Sequence, residues 1–247
     1  MNLDINLLRD IAKEAVVASG EFLKVQFNNS SVPIINNESD IKLNEDIQAD
    51  KIIKEILLKT NINVYSEEDL NKEFSKDKLF WLIDPLDGTH NFYNKIPIFS
   101  SSIALIYDQK PILGVINEFL YSNLYIGINY LGKKSATLNS LDLKVSKIKP
   151  RNLSTLITGL PRGFSVNEEN SQNFGKDFNS WKKIRMFGSA SIACAYVASG
   201  KCDHYREFET YFWDVAPGIP LVIGAGGKCE IEYGTFPKVK FIELSNG

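Results

Sequence analysis

Two acids, Asp84 and Asp87, bracket a proline in the run Trp81-Leu82-Ile83-Asp84-Pro85-Leu86-Asp87-Gly88-Thr89. The apolar stretch before them reads as a buried strand that stops at Asp84, and the Gly-Thr after Asp87 can open a helix. Carboxylates at a strand end are the oxygen donors that a hard cation takes. The free N–H groups of a helix N-terminus suit a phosphate. Like charges forced together by a turn are unfavourable without a cation. A loop that offers both sites points to metal-assisted phosphate chemistry, and its donor set favours Mg²⁺.

Further acids stand where elements are expected to begin or end: Asp50, Glu67 and Asp214. Taken singly, Asp214 is an ordinary helix N-terminal acid and Glu67-Glu68 a solvated loop. The set together is what suggests a metal centre. Only two histidines are present, His90 and His204, and neither has a Ser or Cys nucleophile context. That count argues against His-dependent nucleophilic catalysis and against a His-rich zinc site. Chemistry on this chain is expected to run on carboxylates.

Composition narrows the class. The 247 residues carry a net charge of −2, with 44% hydrophobic and 23% charged residues, as in an ordinary globular protein with a sizeable core. No basic stripe calls for nucleic acid. Cys194, Cys202 and Cys229 are odd in number and form no CxxC pair, so a disulfide framework is not expected and a reducing, cytoplasmic setting is. The first residues lack a basic signal region. No uncharged apolar run approaches the ~20 residues of a membrane span.

The elements that must position these acids follow from periodicity. Leu7, Leu8, Ile11, Ala15, Ala18, Phe22 and Leu23 place a long amphipathic helix at residues 3–27. Asn28 to Glu38 reads as a polar loop, and a second helix starts near Glu45 or Asp46. Short strands are expected at 61–65 and 79–83, then a meander of strands at 101–107, 112–119 and 124–128. Past residue 145, strands at 153–158 and 183–186 flank a helical stretch near 166–180. A small-residue helix spans 188–200 and is capped by Gly200. Another helix runs from Trp213 or Asp214 to before Gly226-Gly227, and a strand pair closes the chain. Helices before and between runs of strands, without regular βαβ alternation, predict a layered α+β protein. Its two lobes, residues 1–145 and 146–247, would form one catalytic unit.

These residues resemble the inositol monophosphatase family. Trp81 to Thr89 is similar to its first signature, and Phe212-Trp213-Asp214-Val215-Ala216-Pro217-Gly218 to its second, with Ala225-Gly226-Gly227 following. Ser66-Glu67-Glu68-Asp69 resembles the acidic loop upstream, and Gln48-Ala49-Asp50 the segment with an earlier acid. Gly188-Ser189-Ala190 and Tyr205-Arg206-Glu207 fall where the family has a substrate-facing loop and a glutamate. Lys42 to Asp50 departs from the pattern by lacking the common Val-Thr before the helical acid. Pro217 replaces a small residue, and His90 follows the threonine where a small polar residue is frequent.

The resemblance implies a five-layer αβαβα sandwich of the inositol monophosphatase and fructose-1,6-bisphosphatase type. It implies a Mg²⁺-dependent, lithium-inhibited phosphomonoesterase, often a homodimer, using a metal-activated water. By that likeness Glu67, Asp84, Asp87, Asp214 and the Leu86 carbonyl hold two or three ions, for which Mn²⁺ can substitute. Gly88 and Thr89 receive the phosphate, Asp50 and Thr89 orient and deprotonate the attacking water, and Glu67 serves both metal and water. Asp87, Gly188, Ser189, Ala190 and Glu207 face the substrate. The expected substrate is a small phosphorylated metabolite of inositol or sugar type. The alternatives are a 3′(2′),5′-bisphosphate nucleotide, with Arg162 available for a second phosphate, or a non-catalytic metal-binding regulatory role.

Overall fold

A computed structural model describes residues 3–29, 33–36, 41–69, 77–160 and 175–247. Two helices open the chain, α1 (Ile5–Phe27) and α2 (Asn44–Leu57), with a small hairpin, β1 (Pro33–Asn36) and β2 (Ile41–Leu43), between them. Asp4 caps α1 by accepting the Leu7 N–H at 3.1 Å. Leu8, Ala12, Ala15, Val16, Ser19 and Leu23 then form its buried stripe.

A seven-stranded sheet follows, in the order β3 (Val64–Ser66), β4 (Leu79–Asp87), β5 (Ser100–Tyr107), β6 (Lys110–Glu118), β7 (Asn123–Tyr130), β8 (Lys133–Leu138) and β9 (Leu141–Asp142). Only β3 and β4 are parallel within it. The sheet is covered on both faces, and the period of two sorts its side chains. Trp81, Ile83, Ile103 and Leu105 pack under α1 and α2. Phe80, Leu82, Ala104 and Ile106 point the other way, into the larger core. Each such large apolar side chain contributes about 1.5–3 kcal/mol by leaving water, so both interfaces are strongly held.

The second sheet has five strands in the order β11, β10, β12, β14, β13, comprising β10 (Thr155–Thr158), β11 (Lys183–Arg185), β12 (His204–Tyr211), β13 (Lys228–Tyr233) and β14 (Lys238–Ser245). After the short α3 (Thr89–Tyr93) the described residues include the helices α4 (Ala190–Ala198), α5 (Phe212–Val215) and α6 (Gly218–Gly224). Side chains of α4 and α6 share one core with both sheets. The small residues of α4 let it pack closely there. On the far face of the five-stranded sheet, a helical turn at 175–179 brings Asp177 to Arg206, and Trp181 packs edge-on against His204 at 4.8 Å. The order is helix, sheet, helix, sheet, helix, the layered α+β sandwich that was expected.

Several elements differ from the sequence reading. The acidic turn stays within β4, with a register break between Asp84 and Asp87 against β5. The helix expected from Trp213 is two helices, because Pro217 brings no N–H and its ring crowds the preceding turn. Part of the loop expected at 28–38 forms β1. Strands β8 and β12 escaped the reading because Lys133-Lys134 and His204 to Glu209 are too polar to signal a buried strand. The helix expected near 166–180 lies outside the described residues up to 174, as does Arg162. Among the described residues no helix is long and apolar enough to cross a membrane.

Candidate active site

Acids from three separate segments converge on one cavity of about 290 Å³. In the parallel pair β3–β4, Ser66 sits opposite Ile83, so Glu67, just past the end of β3, comes beside Asp84 within β4. The register break carries Asp87 further round the same wall, and α5 supplies Asp214. Leu86, Gly88, Thr89, Gly188, Ser189, Ala190 and Glu207 also line the cavity, so the structure brings together every expected site residue except Asp50.

The acids repel one another. Burial raises the Asp84 carboxyl far above its usual range, and the charges of Glu67, Asp87 and Asp214 raise it further. Burial and the Asp214 charge do the same to Glu67. A buried set of mutually repelling carboxylates is what a multivalent cation stabilises, and its oxygen-only donors suit Mg²⁺. The residues therefore fit a hard metal ion. Among the described residues no three side chains form a closed cage, because two of the acids are turned onto protein donors. Asp214 Oδ2 accepts from the Thr210 hydroxyl at 2.7 Å and the Tyr211 N–H at 3.0 Å. Asp87 Oδ2 accepts from the Ser189 hydroxyl at 2.6 Å and the Ser191 N–H at 2.8 Å, while Oδ1 takes the Ala190 N–H at 3.2 Å. The Ser191 hydroxyl also donates to Asp87. Asp87 thus caps α4 as well as facing the cavity. Burial pushes its carboxyl up and these bonds pull it back.

Thr89 opens α3 after Gly88, whose φ of +92° favours glycine. A Cβ there would also lie 3.0 Å from the Ile98 carbonyl and 3.3 Å from the Gly188 carbonyl. The Thr89 hydroxyl stands 3.0 Å from the Leu86 carbonyl and 3.2 Å from Asp46 Oδ1. The acid beside Thr89 is therefore Asp46, which corrects the expectation for Asp50. Both residues lie on one face of α2, a helical turn apart. Asp50 instead takes the Lys54 ammonium at 2.7 Å. Asp46 also accepts the Leu43 N–H at 2.7 Å, and burial pushes its carboxyl up to about 8.

On the opposite wall Glu207 projects from β12. Burial first, then the Asp214 charge, raises it to about 8. Gly159 leaves room for it, since a Cβ there would meet Glu207 Oε1 at 2.3 Å. Sequence reasoning missed three supports: Asp46, Ser191 and Asn91. The Asn91 amide donates to the Ile98 carbonyl at 2.8 Å and the Phe187 carbonyl at 2.7 Å, fixing the loop that carries Gly188. Asp46 was visible as an acid at a helix start. Nothing local marks Asn91 or Ser191.

A family model described as the inositol monophosphatase family matches residues 4–235. A relative from Aquifex aeolicus named fructose-1,6-bisphosphatase/inositol-1-monophosphatase is 32% identical, over 88% of this chain and 83% of its own. The Nus factor SuhB of Escherichia coli K12 is 32% identical over 76% and 71%. The solved inositol monophosphatase from Anabaena superposes with a TM-score of 0.83 at 28% identity, over 99% of this chain and 92% of that one.

Proposed function

Because this chain belongs to the inositol monophosphatase family, we propose that it hydrolyses a small phosphate monoester of the inositol or sugar class. That it is a phosphatase, a hydrolase of a generally Mg²⁺-dependent family, follows from membership. The observation that carries the hydrolytic reading is the Thr89 hydroxyl, held between the Asp46 carboxyl group and the Leu86 carbonyl at the edge of the acid cluster.

Glu67, Asp84, Asp87, Asp214 and the Leu86 carbonyl are the residues that would hold Mg²⁺, in two or three positions. The ions would acidify water and neutralise charge on the phosphate and the leaving oxygen. The chain's own groups handle orientation and the proton. The N–H groups of Gly88, which precedes α3, and of Thr89, its first residue, receive phosphate oxygens. With its single proton donated to Asp46, the Thr89 hydroxyl keeps a lone pair for the attacking water. A proton can then pass from water to Thr89 Oγ1 as the hydroxyl proton moves to Asp46. Burial raises this carboxyl to about 8 in the metal-free chain, so once ionised it is a strong acceptor, and cations bound in the neighbouring acid cluster would favour that ionised form. Glu207 and Asp87 accept hydroxyl groups of the polyol, which makes a sugar or inositol fit better than an apolar alcohol.

The test is phosphate release from inositol 1-phosphate, fructose 1,6-bisphosphate, histidinol phosphate and 3′-phosphoadenosine 5′-phosphate, with Mg²⁺, with EDTA and with Li⁺. We expect Mg²⁺-dependent, Li⁺-sensitive release, fastest for a sugar or inositol ester. A clear preference for the nucleotide would transfer the assignment to the alternative. The likeness to SuhB supports a second, regulatory reading, and a protein partner held by the inactive Asp84→Asn chain would establish it. A homodimer is proposed on family grounds alone.

A further inference from the structure

Two lysines lie among the acids beneath the cavity, and the mechanism does not use them. Lys54 Nζ, on α2, bridges Asp50 Oδ2 at 2.7 Å and Asp69 Oδ1 at 3.0 Å. Lys42, on β2, is ion-paired with Glu68. All five charged groups are largely covered, with side-chain exposures between 9% and 20%. Glu68 and Asp69 belong to the same single turn, Glu67–Asp69, that begins with Glu67. Three anchors therefore hold that turn: the end of β3, Lys42 on Glu68, and Lys54 on Asp69. Lys54 fastens it to the very helix that carries Asp46.

We propose that Lys54, seconded by Lys42, is a positioning residue that holds Glu67 in register with Asp46 and Asp84, and so sets the affinity of the acid cluster for divalent cations. The inference rests on the reading of Glu67 as a metal ligand. The sequence around the clamp is consistent with this division of labour. Of the acids Asp46, Asp50, Glu67, Glu68 and Asp69, the lysines pair with Asp50, Glu68 and Asp69, while Glu67 lines the cavity and Asp46 holds the Thr89 hydroxyl. A partly buried ion pair contributes little net stability, but losing one partner strands the other charge. Without Lys54, Asp50 and Asp69 lose a shared counter-ion and are drawn apart toward water, and the turn bearing Glu67 moves with Asp69.

Two opposite outcomes separate positioning from simple electrostatics. A lysine near a cation site repels the cation, so if Lys54 acted only through its charge, its removal would tighten metal binding. If it positions the turn, removal weakens binding. Lys54→Met, Lys54→Arg and the unsubstituted full chain are compared by direct titration with Mn²⁺, followed by the loss of the free-ion paramagnetic resonance signal, and by Mg²⁺-dependent activity. Lys54→Met should bind Mn²⁺ about tenfold more weakly and need correspondingly more Mg²⁺. KM for the ester should hold, and Lys54→Arg should recover most of the affinity. Unchanged or tighter Mn²⁺ binding in Lys54→Met overturns the proposal. If Lys54→Met fails to fold, Lys54→Gln replaces it. That change also removes only a positive charge, which by electrostatics alone would tighten cation binding, so it must weaken Mn²⁺ binding or the proposal fails. The Mn²⁺ titration needs no substrate. Lys54-dependent binding in a chain that hydrolyses nothing on the panel would leave the clamp standing and remove the proposed reaction.

Discussion

The structure assigns the carboxylate beside Thr89 to Asp46, and a paired substitution tests that assignment. Asp46→Asn keeps the size of the side chain and an oxygen for the Leu43 N–H, but it removes the proton acceptor that faces Thr89. Loss of a general base typically lowers turnover by about 10²–10⁴, or roughly 3–5 kcal/mol of barrier. Stability should move the other way. The buried Asp46 carboxyl binds its proton up to about 8, against 3.8 when free in water. At pH 7 folding must therefore place a proton on Asp46, at a cost of at most roughly 4 kcal/mol that asparagine does not bear. Metal-free Asp46→Asn should melt higher at pH 7, by about 2–4 °C for each kcal/mol recovered. Below pH 4 the aspartate is protonated in both states and the gain disappears. Asp50→Asn serves as the contrast: Lys54 keeps an oxygen partner, so the rate at saturating Mg²⁺ should hold while the Mg²⁺ requirement rises. The assays are phosphate release across a Mg²⁺ series and thermal melts in EDTA at pH 4 and pH 7. Equal loss of saturated turnover in the two variants, or a lower melting temperature for Asp46→Asn at pH 7, refutes the reasoning.

Other outcomes follow from the same geometry. Asp84→Asn should abolish Mg²⁺-dependent release and raise the melting temperature of the metal-free chain, since it removes a buried charge facing Glu67, Asp87 and Asp214; undiminished turnover would remove Asp84 from the metal set. Glu207→Gln should change KM and substrate preference while Mn²⁺ affinity holds, and a metal defect like that of Asp84→Asn would show the role misread. Asp46 and Glu207 hold protons in the folded chain that the unfolded chain releases near 4, so stability in EDTA should fall as pH rises from about 4 to 8. Saturating Mg²⁺ should flatten or reverse that slope, and an EDTA profile that rises over the same range would contradict the raised carboxyls. Gly88→Ala should cost about 1–3 kcal/mol through strain at positive φ and also weaken phosphate capture, read as a raised KM; a neutral result would show that the turn can relax.

The sequence by itself marked the acids that line the cavity and determined the layering of the fold. Asp84 and Asp87 are tied together by a proline turn only a few residues long, and the apolar periods of α1, β4 and the meander are local patterns that survive any tertiary arrangement. Gly188 to Ala190 and Glu207 were found only through the family likeness, because a small-residue loop and a polar strand carry no periodic signal. The choice between Asp46 and Asp50 was beyond the local pattern altogether. The two sit one turn apart on α2, equally able to face the site by helical geometry. What separates them is remote in sequence: Thr89 arrives beside Asp46, while Lys54 takes up Asp50 and ties it to Asp69. The double duty of Asp87 likewise depends on α4 meeting β4 across about a hundred residues, the separation of Ser189 from Asp87 being 102. Packing of two sheets around α4 and α6 brings those partners together, and only the folded chain contains that information.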